Sequence, residues 1–188
     1  MYQDPLFTAL SAQRRNGLIL CKSYHAEFAG PGAAVGRPCD FDCQEAIAIG
    51  AKWQLVSVQS FEEQQTAYRR RIQWMYWLKK IAELPQPTKR AEVLLQSFDA
   101  FFDPLAIAAL PPEVLAMLVG VFPQTMQAVH RQHYDGLGIE IPPPDETSQF
   151  WSYVQFPHLS APDKRPVKFA KRVATHFFCD PRASLIAL

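Results

Sequence analysis

Cysteine and histidine are the residues of this sequence best suited to metal binding and catalysis, and their spacing limits what they could do. Cys39 and Cys43 are separated by three residues in CDFDC, a spacing that suits two ligands of a metal ion or cluster. Such sites usually need four ligands, and the remaining thiols, Cys21 and Cys179, form no second close pair. We therefore predict reduced, structural thiols, with a redox or metal role as the alternative.

The histidines give no clearer indication of catalysis. They stand at positions 25, 130, 133, 158 and 176. His130 and His133 would share one face of a helix, and a metal site there is the weaker alternative. The sequence contains no glycine-rich phosphate loop, GxSxG or HExxH motif. The prediction is therefore a protein that is not an enzyme and that has no cofactor, catalytic residue or metal site.

Composition is that of an ordinary globular protein. The chain has 188 residues, of which 48% are hydrophobic and 20% charged, so it can bury a core. Its net charge of +1 does not by itself indicate nucleic acid as a partner. No run approaches the ~18 apolar residues of a membrane span. The first residues, MYQDPLFTALSAQRRNG, place an acid early and two arginines late, the reverse of a signal peptide. We expect a cytoplasmic protein with no membrane contact.

The sequence pattern changes from strand-like to helix-like near residue 60. Residues 1–16 are predicted as a short helix, and strands are predicted at 17–28, 46–49 and 53–58. A helix is then predicted over 61–84, with Ser60 as its N-cap, acids in its first turn and Pro85 after its end.

The second half of this long helix is apolar on more than one face. At 3.6 residues per turn, its large apolar side chains cannot all point in one direction. These are Ile72, Trp74, Met75, Trp77, Leu78 and Ile81. A second copy of the helix is the simplest cover for the second stripe, which predicts a homodimer. The alternative is a helix buried centrally in a monomer. Arg69, Arg70 and Arg71 are interpreted as a solvated face.

The stretch LVGVFPQTMQAVHRQ, residues 118–132, ends one helix at Gly120 and begins another at Pro123. Upstream, Thr88 is the predicted N-cap of a helix with one apolar stripe, and Pro112 suits the first turn of a helix over 113–119. The abrupt corner favours a helix-turn-helix, which presents its second helix to the major groove of DNA. Two packed helices with a short loop are the alternative.

This order of elements, followed by GLGIE, resembles the C-terminal half of the Crp/Fnr transcription regulators. The resemblance is most specific in EVLAMLVGVFPQTMQAVHRQHYDGLGIE, residues 113–140, at the Leu-Ala pair, the Gly-Val corner and GLGI. It extends more weakly to about Phe61, and the segments GPGAAVGR and AIAIGAKWQLVSVQSF are similar to the end of that family's β-roll. The resemblance covers about 110 residues.

The resemblance implies an α+β fold with a partial β-roll, a long central helix, a winged helix-turn-helix and an extra basic tail. The corresponding regions are a small β-rich sensor or interaction region at 1–60, a linker and dimerisation helix at 61–84, the winged helix-turn-helix at 85–145 and a C-terminal extension with a basic helix at 146–188. The upstream region is too short for a whole β-roll and lacks the family's ribose- and phosphate-binding residues. We expect no dependence on a cyclic nucleotide.

The resemblance also implies which side chains would contact DNA. They are Gln124, Thr125, Gln127 and Arg131 on the second helix, with Lys168, Lys171 and Arg172 of the tail on the phosphate backbone. The sequence departs from the family pattern at the corner, where Phe122 replaces a capping serine, Pro123 a common arginine and Ala128 a polar contact. Residues 89–140 contain three lysines and arginines and six acidic residues, so this region is net negative.

Two functional hypotheses follow. The first is a DNA-binding transcription regulator of Crp/Fnr-like type, acting on double-stranded DNA as a homodimer. The second is a protein-binding module whose winged helix has lost its DNA-reading face. In that case exposed aromatic residues would contact the protein partner: Trp74, Trp77, Phe150, Trp151 and Tyr153. The basic tail has its own alternative, a solvated surface helix docked by Phe177 and Phe178.

Overall fold

A computed structural model describes residues 7–12, 15–36, 39–50, 53–143 and 151–154. Within these residues the chain forms two antiparallel sheets and five helices. The predicted α+β class is confirmed. The strands are β1 (Thr8–Leu10), β2 (Gly17–Cys21), β3 (Ala26–Ala29), β4 (Ala34–Val35), β5 (Glu45–Ile49), β6 (Leu55–Ser57) and β7 (Trp151–Val154). The smaller sheet has the order β4-β1-β6, and the larger sheet has the order β3-β2-β5-β7.

The central strands of the larger sheet, β2 and β5, are buried on both faces, which explains the uninterrupted apolar run GLILC in β2. Ile19 and Ile47 pack on one face, in the core that the helices share. Leu18 and Leu20 pack on the other face, against Leu10 of the smaller sheet. Alternate side chains of a strand point to opposite faces, so a sheet covered on both sides needs apolar residues at every position.

The prediction of a short helix over residues 1–16 is wrong at its described centre, where the chain forms β1. Thr8 and Ala9 pair with β4 on one side and with β6 on the other. Leu10 of β1 is fully buried. Apolar residues this close together fit one buried strand as well as one helical turn, and only the partner strands, far along the chain, decide between them.

The predicted strand over 17–28 is two strands joined by a tight turn. β2 and β3 pair in antiparallel register, and the Lys22 N–H donates to the His25 carbonyl at 2.9 Å. The predicted strands over 46–49 and 53–58 correspond to β5 and β6.

The long helix, α1 (Phe61–Ala82), begins where the sequence predicted. Ser60 and Glu63 form a capping box: the Glu63 N–H donates to Ser60 Oγ at 3.2 Å, and the Ser60 N–H donates to Glu63 Oε2 at 3.4 Å. This exchange satisfies two backbone donors that the first turn of a helix leaves unpaired.

The interpretation of the three consecutive arginines as a solvated face is wrong for Arg71. Its side chain is buried, and its guanidinium donates to both Glu27 and Asp40. The two carboxylates compensate the positive charge that is removed from water. They stand 44 and 31 residues earlier in the chain, so the local pattern could not reveal them.

The other helices are α2 (Pro87–Phe101), α3 (Pro104–Ala108), α4 (Pro112–Val119) and α5 (Pro123–Leu137). Each begins with proline, which lacks the N–H that a first turn leaves unbonded. The prediction of Thr88 as N-cap is wrong, because Gln86 occupies that position. The predicted apolar stripe of α2 is confirmed as buried: Ala91, Leu94, Leu95, Phe98 and Phe102.

One continuous core joins the larger sheet to the helices. Phe28 of β3 contacts Trp74 and Trp77 of α1 and Phe98 of α2, with ring centroids 5.1–5.9 Å apart. The chain also returns to this sheet after α5, where β7 pairs with β5. The described residues of the segments 1–60 and 85–145 therefore share one core.

Candidate nucleic-acid interface

The corner between α4 and α5 is held by backbone geometry and by one arginine. Gly120 has a left-handed backbone (φ 63°) and ends α4, a conformation that glycine adopts without steric cost. The Val121 N–H returns to the Ala116 carbonyl at 3.2 Å. Arg90 of α2 donates to the Gly120 carbonyl at 3.2 Å and also to the Leu84 carbonyl. It thus links the start of α2 to the corner.

Helix α5 is anchored along one face. Met126, Val129 and Tyr134 are buried there and belong to the shared core. Their spacing of three and five residues keeps them on one side of a helix with 3.6 residues per turn. The opposite side of α5 is therefore held towards solvent.

A polar anchor that the sequence analysis missed fixes the last turns of α5 to α2. Asp99 accepts from the Tyr134 hydroxyl at 3.0 Å, and its other oxygen lies 2.6 Å from His133 Nε2. Burial and the adjacent carboxylate raise the pKa of Tyr134, which therefore stays a protonated donor. The sequence did contain one indication of this anchor. His133 and Tyr134 are adjacent polar residues that fall on the core side of an amphipathic helix, where they need a polar partner. That partner, Asp99, lies 34 residues before His133.

The solvent face of α5 carries three of the four predicted DNA contacts on this helix. Gln124, Gln127 and Arg131 are exposed, and their spacing of three and four residues aligns them along one side. Thr125 is half-buried. Arg131 is the one lysine or arginine in α5. This face can offer amide and guanidinium groups to a base edge or a phosphate.

The N-terminus of α5 lacks the side-chain cap of the resembled family. Phe122 occupies the N-cap with an extended backbone and caps no N–H with its side chain, and its side chain is 60% exposed. An apolar group thus stands where a helix N-terminus otherwise suits a phosphate.

Other parts of the predicted interface lie outside the described residues. These are the tail contacts Lys168, Lys171 and Arg172, together with the aromatic Phe150. Residues 139–143 follow α5 and contain no strand. The strand that comes next in the described part of the chain, β7, belongs to the larger sheet. The predicted wing therefore has no counterpart in 139–143 or in 151–154.

The predicted dimerisation residues divide into three groups. Leu78 and Ile81 face the core of their own chain, so they are not available to a second copy, and this part of the prediction is corrected. Trp74 and Trp77 are partly buried against the aromatic side chains of that core. Ile72 and Met75 are exposed, as is Tyr76. The uncovered stripe is therefore narrower than predicted.

The described thiols are Cys21, Cys39 and Cys43, and all three are free and at least partly buried; Cys179 lies outside the described residues. Burial raises the pKa of Cys21 and of Cys43 to about 12, and burial also raises the pKa of Cys39. Thiols with such pKa values stay protonated at neutral pH and are poor nucleophiles and metal ligands. Among the described residues, no three Cys, His, Asp or Glu side chains are grouped as a metal site requires.

No protein-family model, curated protein or solved structure matches the chain. Within the described part of the chain, no helix has both the length and the apolar character needed to cross a membrane.

Proposed function

We propose that this chain is a DNA-binding transcription regulator of Crp/Fnr-like type that acts as a homodimer without a cyclic nucleotide. The observation that carries the proposal is the exposed face of α5. Gln124, Gln127 and Arg131 are aligned on a helix whose other face is fixed by the core and by Asp99. A rigid helix with aligned amide and guanidinium groups is what readout in the major groove requires.

In this arrangement Gln124, nearest the N-terminus of α5, pairs with an adenine edge through its amide. Arg131 contacts a guanine or a phosphate. The tail residues Lys168, Lys171 and Arg172 neutralise further phosphates, because α5 itself supplies a single strong cation. A homodimer doubles both sets of contacts and repeats them at a fixed spacing.

Replacing Gln124 with alanine tests the base contact. The change should cost about 1–3 kcal/mol at one base pair and relax the preference there. The measurement is a titration on sequences enriched from a random duplex pool. Gln132→Ala is the matched control, since Gln132 is another exposed glutamine of α5 that lies about 80° further around the helix.

The tail contacts are tested by replacing Lys168 and Lys171 together with glutamine. Binding to all sequences should weaken alike, and the salt dependence should flatten by about two phosphate contacts. If the unchanged protein enriches no sequence and binds duplex only at low salt, the DNA proposal is wrong.

The second candidate function is a protein-binding module, and two observations favour it. Phe122 is exposed at the N-terminus of α5 in place of a phosphate-binding cap, and three basic residues face six acidic ones between 89 and 140. Failure to enrich DNA, together with saturable binding of a protein that Phe122→Ser abolishes, would support this candidate.

A further inference from the structure

A cavity of about 480 Å³ lies beside α5, on the side next to the connection between α3 and α4. Its apolar lining includes Leu110, Pro111, Ile141 and Pro142. The volume falls within the range of about 300–1,000 Å³ that small-molecule sites occupy. None of the proposed DNA chemistry requires a cavity here.

One polar side chain lining this cavity is buried and incompletely satisfied. His130 is 2% exposed, and one of its ring nitrogens bonds the Ile107 carbonyl. Its Nε2 has no hydrogen-bond partner within the described part of the chain. Burial lowers the pKa of His130, with a further lowering by His133, so the ring is neutral at neutral pH. Since the bond to a carbonyl uses the ring N–H, Nε2 is an acceptor that lacks a donor.

Three further polar groups line the same cavity. Arg131 supplies a guanidinium, Glu113 a carboxylate and Gln127 an amide. A guanidinium beside a mainly apolar cavity selects a carboxylate through paired hydrogen bonds. Together with the acceptor on His130, these groups give the mainly apolar cavity both charged and hydrogen-bonding partners for a small ligand.

We propose that this cavity binds a small, mainly apolar carboxylic acid that also carries an N–H or O–H donor. The carboxylate contacts Arg131, the donor satisfies His130 Nε2, and the apolar body packs against Leu110 and Ile141. Glu113 favours an ammonium over a hydroxyl as the donor. The site does not depend on the DNA proposal, and its binding is measured without DNA, so either proposal can fail alone.

The test uses the full chain and four probes that share one phenyl group. L-phenylalanine and phenyllactate carry both the carboxylate and a donor. Phenylpropanoate lacks the donor, and phenethylamine lacks the carboxylate. Binding is followed by heteronuclear NMR titration. Residues lining the cavity should shift with one of the first two probes at about 1 mM or below. Each incomplete probe should bind about tenfold more weakly.

His130→Asn separates binding from folding. The asparagine amide can still donate to the Ile107 carbonyl but offers no acceptor at the position of Nε2. The variant should stay folded and should bind the complete probe and phenylpropanoate equally. Gln132→Ala, on the same helix but outside the cavity, should bind like the unchanged protein. Absence of binding by both complete probes would overturn the proposal, as would a preference for them that survives His130→Asn.

Discussion

At the scale of single residues, the fold depends on polar groups that meet in pairs or triplets inside it. Asp99 holds Tyr134 and His133, and Arg71 holds Glu27 and Asp40. Losing one member leaves a buried partner unsatisfied, which costs about 1–3 kcal/mol, and more where the partner is charged. His130 differs from these residues because one of its nitrogens has no partner in the described residues.

The buried, neutral His130 should make the protein less stable in mild acid. In the unfolded chain its pKa is about 6.5, whereas burial lowers the pKa in the folded chain. Between these two values the unfolded chain binds the extra proton, so the free energy of unfolding falls as the pH drops from 7 through 6.5 towards the folded value.

This pH effect is measured as the urea midpoint across a pH series for the unchanged protein and for His130→Asn. The variant should show the shallower decline. His133 and Asp99, the titratable groups that act on His130, are present in both proteins. Equal slopes would contradict the prediction.

At the scale of elements, the α4–α5 corner depends on the backbone of Gly120. A Cβ at this position would meet no atom within 4 Å, so Gly120→Ala would be affected only by the left-handed backbone. We expect a loss of about 1 kcal/mol in the free energy of unfolding.

Gly136 provides the matched control for this glycine. It lies inside α5, and an added Cβ there also meets nothing within 4 Å. Gly136→Ala should therefore stabilise the protein by about 0.5–1 kcal/mol, since glycine is the poorer helix former. Urea unfolding of both variants gives the comparison. Destabilisation of the same size at both positions would show that backbone geometry is not the cause.

At the scale of the whole molecule, the proposed homodimer would use the exposed stripe of α1. Ile72 and Met75 are the predicted residues that remain available, and Ile72 is 52% exposed. Ile72→Glu should convert the dimer to a monomer, because it places a charge in an apolar interface. Sedimentation velocity at micromolar concentration measures the change.

Leu105→Glu serves as the control for assembly. Leu105 is also an exposed apolar residue, but it lies on α3, so the same charge there should leave the mass unchanged. If the unchanged protein sediments as a monomer at this concentration, the proposed homodimer is wrong.

The sequence alone determined the elements whose signals are local. Ser60 with Glu63, Gly120, and the prolines at the starts of α4 and α5 set helix ends through interactions within a few residues. The apolar stripe of α2 predicted its buried face, because helical periodicity is a property of the segment itself. The resemblance, and not this periodicity, selected Gln124 and Gln127 of α5, and both side chains are exposed.

Tertiary structure decided everything that depends on a distant partner. β1 is a strand because β4 and β6 pair with it on either side. Arg71 can be buried because Glu27 and Asp40 form ion pairs with its guanidinium. Leu78 and Ile81 face the core of their own chain, since the continuous core reaches that side of α1. The cavity at His130 arises where α5 passes the α3–α4 connection. The hydrophobic pattern of the sequence predicts that a side chain will be buried, but the path of the chain determines which residues it packs against.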